Sequence, residues 1–229
     1  MLSKIRKKFV VTGGPTREFI DPVRFISNPS TGKMGEAIAS AAAKHFEEVI
    51  FIHGPISEQL IKDNYKSIAI VSTEDMLVQV LNEFEENTVL VMAAAPADFV
   101  VQKTEKHKIK KSSCDELVLR LKKSPDILKE VHQKIIDKQY TNCFVAGFAA
   151  ETNNVEEYAI SKLKEKNLDM ICANDVSEPD AGFASDTNKI IIIFKDNFKI
   201  NLNLADKKVI ADEIVNLIIK SLKNENIQE

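Results

Sequence analysis

The chain has 229 residues and a formal net charge of −3, which is enough length for one large domain with a substantial core. The near balance of acidic and basic residues gives no electrostatic reason to expect nucleic acid or an anionic membrane as a partner. No apolar run approaches the ~18 residues that a membrane-spanning helix needs. The basic start moves straight into a short strand, with no long apolar region or cleavage site, so we expect a cytoplasmic protein.

Short β-branched runs alternate with amphipathic stretches along the chain, which predicts a parallel sheet covered by helices. The predicted strands are Lys8–Thr12, Glu48–His53, Ser67–Ser72, Thr88–Ala95, Glu116–Lys122, Cys143–Ala149 and Asp169–Ala173. The predicted helices are Gly35–His45, Thr73–Phe84 with its cap at Ser72 or Thr73, a helix that begins at Ser124-Pro125-Asp126 and reaches Asp137, Val155–Lys166, and a last one from Asp206 or Lys207 to Leu222. The apolar run Thr88–Ala95 is expected near the centre of the sheet.

The C-terminal part departs from the alternation of strands and helices that precedes it. Lys189–Phe194 and Phe198–Leu202, joined by Lys195-Asp196-Asn197, predict an antiparallel hairpin. We therefore predict a single domain over residues 1–229 with an α/β fold: a doubly wound, Rossmann-like, mostly parallel sheet with a mixed or antiparallel edge. A lysine-rich flap at about 103–122, a hairpin at about 187–202 and a frayed tail at about 223–229 complete it.

Three cysteines, Cys114, Cys143 and Cys172, stand far apart without a CxxC or His-rich spacing. This spacing argues against a zinc site and against a disulfide framework, so we interpret them as buried or incidental thiols. The histidines show no pairing pattern with a nucleophile, and neither Ser-His-Asp nor Cys-His chemistry is predicted.

One stretch, Thr12–Gly35, combines two arginines, an amide, hydroxyls and a lysine between glycines. This composition is typical of a loop that holds an anion, and we predict that it forms the floor of a site. It matches neither GxGxxG nor GxxxxGK[ST], so a standard dinucleotide fingerprint and a P-loop are both excluded. The segment Ser30-Thr31-Gly32 equally fits an ordinary helix start.

Small and polar residues follow four of the predicted strands, at Thr12-Gly13-Gly14, Ala93–Phe99, Gly147–Thr152 and Ala173–Asp175. Ligands of open parallel sheets bind beyond the carboxyl ends of the strands. We therefore expect these four ends to line one site, although each by itself is also typical of a simple turn.

The lysines allow two interpretations. The run Lys106–Lys111 fits a solvated charged surface or a flap that closes over phosphates. Lys162 and Lys166 lie four residues apart and therefore share one helix face. They are expected to be solvated unless a polyphosphate lies near them.

Taken in order from Thr12 to about Asn188, TGGPTREFIDPVRFISNPSTGKMG, AAAPADF, KIKK, SPDIL, GFAAETNNVEEYA and NLDMICANDV form a specific set. The set resembles phosphopantothenoylcysteine synthetase (phosphopantothenate–cysteine ligase) in its stand-alone bacterial form. The resemblance implies a ligase of coenzyme A biosynthesis that joins 4′-phosphopantothenate to L-cysteine through an acyl-cytidylate formed from CTP, with release of pyrophosphate and then CMP. It also implies Mg²⁺ or Mn²⁺, a homodimer, and a separate decarboxylase that acts next in the pathway.

The resemblance further implies roles for individual residues. Asn28 matches the residue that turns over the acyl-cytidylate, and Lys108 matches a catalytic flap lysine above the phosphates. The implied substrate-binding residues are Arg24, Asn28 and Ala95. The implied nucleotide-binding residues are Met92, Ala93, Ala94, Asp98, Lys108, Pro125, Asp126, Ile127, Leu128, Phe148, Lys162 and Lys166, and the metal ligands are unknown.

Two other functions deserve comparison. A non-catalytic nucleotide-binding or regulatory protein would share the scaffold, but Asn28 and Lys108 argue for a working enzyme. An NAD(P)-dependent oxidoreductase is compatible with the first strand end, but His53-Gly54 stands where an acidic ribose clamp is needed. Eukaryotic relatives use ATP, and only the bacterial spelling of the motifs favours CTP.

Overall fold

The computed structural model describes residues 4–110, 116–151, 153–175 and 185–223. The strands are β1 (Ile5–Gly13), β2 (Arg17–Phe19), β3 (Phe25–Ser27), β4 (Phe46–His53), β5 (Lys66–Ala69), β6 (Val89–Met92), β7 (Phe99–Val101), β8 (Leu121–Lys123), β9 (Phe144–Glu151), β10 (Met170–Asp175), β11 (Thr187–Phe194) and β12 (Lys199–Asp206). The α-helices are α1 (Lys33–Ala42), α2 (Thr73–Glu83), α3 (Ile127–Lys138), α4 (Val155–Glu165) and α5 (Lys207–Leu222).

Within the described ranges, eight strands form one sheet in the order β12-β11-β10-β9-β6-β1-β4-β5. β1 pairs in parallel with β4 and with β6, and the parallel pairing continues to β5 on one side and through β9 to β10 on the other. β11 and β12 add an antiparallel edge. The predicted α/β class, with a mostly parallel sheet and a mixed edge, is confirmed.

Helices cover both faces of this sheet because successive side chains of a strand point to opposite sides. Phe9 and Val11 of β1 pack in the core beneath α1 and α5, whereas Val10 packs beneath α2, α3 and α4. Burial on both faces explains why the parallel strands are continuous apolar runs. No helix in the described ranges is long and apolar enough to cross a bilayer.

The predicted helices are present with small shifts at their ends, and local chemistry explains two of the starts. Ser72 forms a capping box with Asp75 at the start of α2. Asp126 caps α3 by accepting a hydrogen bond from the Lys129 N–H at 3.1 Å. The C-terminal hairpin is also present, and it is longer than predicted.

Strands β6 and β8 are shorter than predicted, and three short strands, β2, β3 and β7, were not predicted. β8 covers only Leu121–Lys123 rather than Glu116–Lys122, because its partner β7 is three residues long and leaves nothing for a longer strand to pair with. The β2–β3 hairpin lies inside the stretch that we interpreted as a loop. The flap residues 102–110 and 116–120 carry no helix or strand. Residues 111–115 and the tail beyond Lys223 lie outside the described residues.

The thiols have no disulfide role where they are described. Cys172 is buried, Cys143 is half-buried, and both are free, as predicted. Cys114 lies outside the described residues.

Helix α1 approaches the end of β1 so closely that position 35 has room only for glycine. A Cβ on Gly35 would lie 2.7 Å from the carbonyl oxygen of Thr12 and 2.8 Å from Cα of Gly13. Alanine normally stabilises a helix interior by about 1 kcal/mol relative to glycine. We expect Gly35→Ala to do the opposite and lower the free energy of unfolding by about 1–3 kcal/mol, the usual cost of overpacking, as measured by urea denaturation.

A matched control is Asn82→Ala, at an exposed position of α2. This change should leave the free energy of unfolding unchanged or raise it slightly, because alanine is the better helix former. A Gly35→Ala protein more stable than the parent would contradict the close contact between α1 and β1.

Candidate active site

Two adjoining cavities lie at the sheet edge where β1 and β6 end. The chain runs from β1 outward to β5 and then returns to β6 on the other side of β1, and such a reversal opens a crevice at the carboxyl ends of the strands. The first cavity has a volume of about 360 Å³ and the second of about 400 Å³. Both are lined by Ala94, Pro96, Asp98, Phe148 and Lys162. This shared wall makes them two lobes of one cleft.

Different helices supply the other walls. The first cavity is lined by residues 28–35, which lead into α1, and by Asn174, Asn188 and Lys207. The second is lined by Thr73 of α2, by residues 123–128, which lead into α3, and by Lys166 after α4. Because α1 and α5 cover one face of the sheet and α2–α4 the other, the two cavities lie on opposite sides of the sheet edge.

Buried threonines fix the turn that forms the shared wall. Thr12 Oγ1 accepts a hydrogen bond from the Ala94 N–H at 3.1 Å, and Thr16 Oγ1 accepts one from the Ala97 N–H at 2.9 Å. Thr16 Oγ1 also lies 2.9 Å from Thr73 Oγ1. The backbone after β6 is therefore held by β1 and α2 together.

Asn28 lines the first cavity and is held by the same turn. Its Nδ2 donates to the carbonyl oxygens of Ala95 at 3.2 Å and Pro96 at 3.0 Å. An amide nitrogen has two hydrogens, so both are engaged. Oδ1 has no hydrogen-bond partner among the described residues. The group that Asn28 leaves for a ligand is therefore an acceptor.

Arg24 lies outside both cavities and binds the flap instead. Its Nη2 donates to the carbonyl oxygen of Ile109 at 2.7 Å, while the Ile109 N–H donates to Asp21 Oδ2 at 3.1 Å. Arg24 Nε lies 3.7 Å from the same carboxylate oxygen. Lys108, the preceding flap residue, is exposed and lines neither cavity. Asp21 and Arg24 thus bind the N–H and the carbonyl oxygen of Ile109. Ile109 directly follows Lys108, the lysine that we predict to be catalytic.

The Asp21 carboxylate is fully buried. Burial raises the pKa of Asp21, but N–H donors of Val23, Ile109 and Arg24 and the charge of Arg24 outweigh it, so the net pKa is lowered. The flap is also tied down nearby, since the Glu105 N–H donates to the carbonyl oxygen of Ile20 at 2.9 Å. The base of the flap is therefore a fixed structure on the β2–β3 hairpin.

The two lysines that share a helix face meet in the second cavity. Lys162 Nζ donates to the carbonyl oxygen of Phe148 at 3.0 Å, and Lys166 Nζ lies 2.6 Å from Asp126 Oδ2. The hydrogen bond with Asp126 raises the pKa of Lys166. Burial raises the pKa of Asp126, but the bonds from Lys166 and from the Lys129 N–H lower it overall. The pair is therefore ionised at neutral pH, with its cation in the cavity wall.

The other predicted residues divide between the two cavities. Ala93 and Ala95 line the first, Met92, Pro125, Ile127 and Leu128 line the second, and Ala94, Asp98 and Phe148 line both. Of the predicted set, Arg24 and Lys108 line neither. The cleft thus brings together most of the residues that the motifs singled out, and their individual roles stay predictions.

Several polar residues of the site were missing from the predicted set. Lys33, Asn188 and Lys207 line the first cavity. Buried Glu18 lines neither cavity but holds Thr73 of the second by accepting hydrogen bonds from its N–H and hydroxyl, both at 2.8 Å. Lys33 stood within a motif and was available as a candidate. No local pattern marks Asn188 and Lys207, because the antiparallel pairing of β11 with both β10 and β12 decides where they lie.

The described residues suit a metal ion that arrives with a phosphate ligand. No group of three His, Cys, Asp or Glu side chains in the described ranges has the arrangement of a metal cage. Mg²⁺ is commonly held by one or two carboxylates together with substrate phosphates. Among the described lining residues, Asp98 lines both cavities and suits such an ion, because Asp126 is paired with Lys166.

Comparison with known proteins identifies the domain. The chain is 44% identical over 209 residues to the coenzyme A biosynthesis bifunctional protein CoaBC of Bacillus subtilis (strain 168). This alignment covers 91% of this chain and 50% of that protein. The chain therefore spans about half the length of the curated relatives it matches.

Two solved structures are similar over nearly their whole length. The crystal structure of the C-terminal domain of CoaBC has a TM-score of 0.76 and 36% identity, covering 96% of this chain and 97% of that one. The crystal structure of the DNA/pantothenate metabolism flavoprotein from Streptococcus pneumoniae has a TM-score of 0.77 and 25% identity, covering 94% and 99%. Residues 5–222, which include both cavities, match one family over that range, and the chain belongs to that family, the DNA/pantothenate metabolism flavoprotein C-terminal domain.

Proposed function

We propose that the chain is a phosphopantothenate–cysteine ligase that joins 4′-phosphopantothenate to L-cysteine. The observation that carries this proposal is the match to 97% of the C-terminal domain of CoaBC at 36% identity, a protein whose name assigns it to coenzyme A biosynthesis. The two-lobed cleft supports it, because a ligase of this kind must hold a nucleotide and an acid side by side.

The chemistry has two steps. The carboxylate of 4′-phosphopantothenate attacks the α-phosphorus of CTP, the bond to the β-phosphate breaks, and pyrophosphate leaves. The amine of cysteine then attacks the acyl carbon, the bond to the phosphate oxygen breaks, CMP leaves, and the amine gives up a proton. In the first step two anions approach each other, so fixed cations have to offset their repulsion.

The second cavity suits the nucleotide and the first suits the acid. The ammonium groups of Lys162 and Lys166 and the ring of Phe148 line the second cavity. Asn28 and Ala95 line the first. Lys162 lines both, so its charge is available where the carboxylate meets the α-phosphate. A Mg²⁺ or Mn²⁺ ion would supply further positive charge on the phosphates, with Asp98 as its carboxylate ligand.

Asn28 acts in the second step in this proposal. Its N–H groups are engaged with Ala95 and Pro96, so Oδ1 is the group that can accept a hydrogen bond from the amine of cysteine. In the alternative role, Nδ2 would donate a hydrogen bond to the carbonyl oxygen of the anhydride and stabilise the charge that builds up on it. Donation would require Nδ2 to release one backbone carbonyl.

The choice of CTP over ATP and the homodimer are supported by the motif resemblance alone. A decarboxylase acting next in the pathway is also supported by the relatives, because the chain matches about half of proteins that are named bifunctional. Sedimentation of the purified chain would test the dimer directly.

The decisive assay combines the purified chain with 4′-phosphopantothenate, cysteine and Mg²⁺, and adds CTP, ATP or NADPH in turn. We expect pyrophosphate and CMP to appear with CTP and to depend on phosphopantothenate, with little turnover of ATP. A folded protein that turns over no nucleotide under any of these conditions would falsify the ligase proposal. Oxidation of NADPH would favour the oxidoreductase instead.

Replacing Asn28 by aspartate should separate the two steps. The aspartate carboxylate cannot donate to Ala95 and Pro96 and would repel their carbonyl oxygens, so the amine would be poorly positioned. We expect the acyl-cytidylate to form and accumulate, while the overall rate falls by roughly 10²-fold, as followed by mass spectrometry of quenched reactions. Asn82→Asp, on the exposed face of α2, should leave both steps unchanged. An unaltered overall rate in Asn28→Asp would remove Asn28 from the chemistry.

Lys108→Gln should slow the first step, because the flap lysine is proposed to balance charge on the leaving phosphates. We expect pyrophosphate release to slow by roughly tenfold or more, equivalent to about 1.4 kcal/mol of transition-state stabilisation. Lys106→Gln removes the same charge from a neighbouring exposed position of the flap and should have little effect. Equal pyrophosphate release by the parent and Lys108→Gln would show that the flap is a solvated loop.

A further inference from the structure

Two lysines outside the predicted set line the first cavity, and each is the first residue of a helix. Lys33 begins α1 and Lys207 begins α5, and these helices pack against each other on one face of the sheet. Lys33 Nζ lies 2.6 Å from Asp186 Oδ1, and Lys207 Nζ donates to the carbonyl oxygen of Ser185 at 2.5 Å. Two ammonium groups from distant parts of the chain therefore converge on adjacent residues at one cavity wall.

The position of Lys207 is electrostatically unfavourable. The residue is only 6% exposed, so its ammonium has lost most of its water. It stands at the N-terminal end of a helix, where the aligned peptide dipoles disfavour a cation. Burial and then the charge of Lys33 lower the pKa of Lys207, and Asp186 offsets this only in part.

Lys207 therefore carries its charge in the wall of a cavity and close to a second ammonium group, that of Lys33. A neutral side chain of similar length would avoid the loss of hydration and the repulsion. A local electrostatic cost at the wall of a cleft is typical of a group that is arranged for a ligand rather than for the folded state. The ligand that would relieve this cost is an anion.

Lys33 can bind an anion in the cavity without a large loss of stability. Its ion pair with Asp186 is exposed, with side-chain exposures of 36% and 80%, and exposed pairs contribute little stability. Exchanging Asp186 for an anion in the cavity would therefore cost little. Asn174 and Asn188, both buried and both in the same wall, add amide groups that suit phosphate oxygens.

We propose that Lys33 and Lys207 form a phosphate-binding subsite in the first cavity, in addition to the nucleotide contacts at Lys162 and Lys166. The subsite rests on the proposed function for the source of its phosphate, which is either the phosphomonoester of the acid substrate or the polyphosphate of the nucleotide. In both cases Lys33 and Lys207 hold the phosphate oxygens by charge-assisted hydrogen bonds.

The test measures binding in the absence of turnover. The variants are Lys207→Met, Lys207→Arg and Lys33→Met, and the matched control is Lys208→Met, which removes the same charge from the exposed next residue of α5. The probes are inorganic pyrophosphate, 4′-phosphopantothenate and pantothenate, which lacks the phosphate. Dissociation constants come from calorimetry, and Tm is recorded with and without each probe.

We expect Lys207→Met and Lys33→Met to lose at least about tenfold in affinity for one phosphate probe, while Lys208→Met and Lys207→Arg retain it. A loss of affinity for 4′-phosphopantothenate would show that the subsite binds the phosphomonoester of the acid substrate. A loss of affinity for pyrophosphate would show that it binds the polyphosphate of the nucleotide. Affinity for pantothenate should not change. The ligand-free Tm of Lys207→Met should stay equal or rise, since an electrostatic cost has been removed, whereas a lysine with a purely structural role would give a lower Tm and unchanged affinity.

Parent-like affinity of Lys207→Met for both phosphate probes would overturn the proposal. If Lys207→Met does not fold, Lys33→Met decides, because the Lys33 side chain is about one-third exposed and does not belong to the hydrophobic core. A protein that binds the phosphate probes through these lysines but ligates nothing would refute the ligase and keep the subsite. A working ligase with unchanged affinity in both variants would refute the subsite alone.

Discussion

The parallel pairing of β1 with both β4 and β6 decides where ligands can bind. Parallel strands need a crossover between them, and this chain makes its crossovers first to one side of β1 and then to the other. The connections after β1 and β6 therefore diverge and leave a cleft between them. The close contact of Gly35 with Thr12 and Gly13 keeps α1 against this point, and Gly35 itself lines the first cavity.

The β2–β3 hairpin and the flap are held at the cleft by hydrogen bonds of polar groups, of which Thr16 and Asp21 are buried and Asn28 and Arg24 are partly buried. Asn28 and Thr16 bind the turn after β6, and Asp21 and Arg24 bind the flap through Ile109. Buried polar groups in such a network are costly to leave unpaired. A shift of the β2–β3 hairpin would therefore change both the shared wall of the cavities and the base of the flap.

Much of the fold was accessible from local patterns in the sequence. Apolar β-branched runs predicted the parallel strands, because strands buried on both faces have few polar residues. Ser72 or Thr73 and the segment Ser124-Pro125-Asp126 marked two helix starts, and the structure places the caps at Ser72 and Asp126. The ordered motifs also singled out most residues that line the cleft. These signals are local in the chain, so a single sequence contains them in full.

The placement of individual charges was decided by long-range contacts. The sequence by itself determined an α/β domain of this family, with Asn28, Lys162 and Lys166 as candidates. Only the tertiary structure decided that Arg24 faces Ile109 rather than the cavities, and that the hydrogens of Asn28 are engaged by Ala95 and Pro96. It also brought Lys207 beside Lys33, because β11 and β12 extend the sheet edge and return α5 to the face that α1 covers. Such contacts join residues far apart in the chain, and no local periodicity or spacing records them.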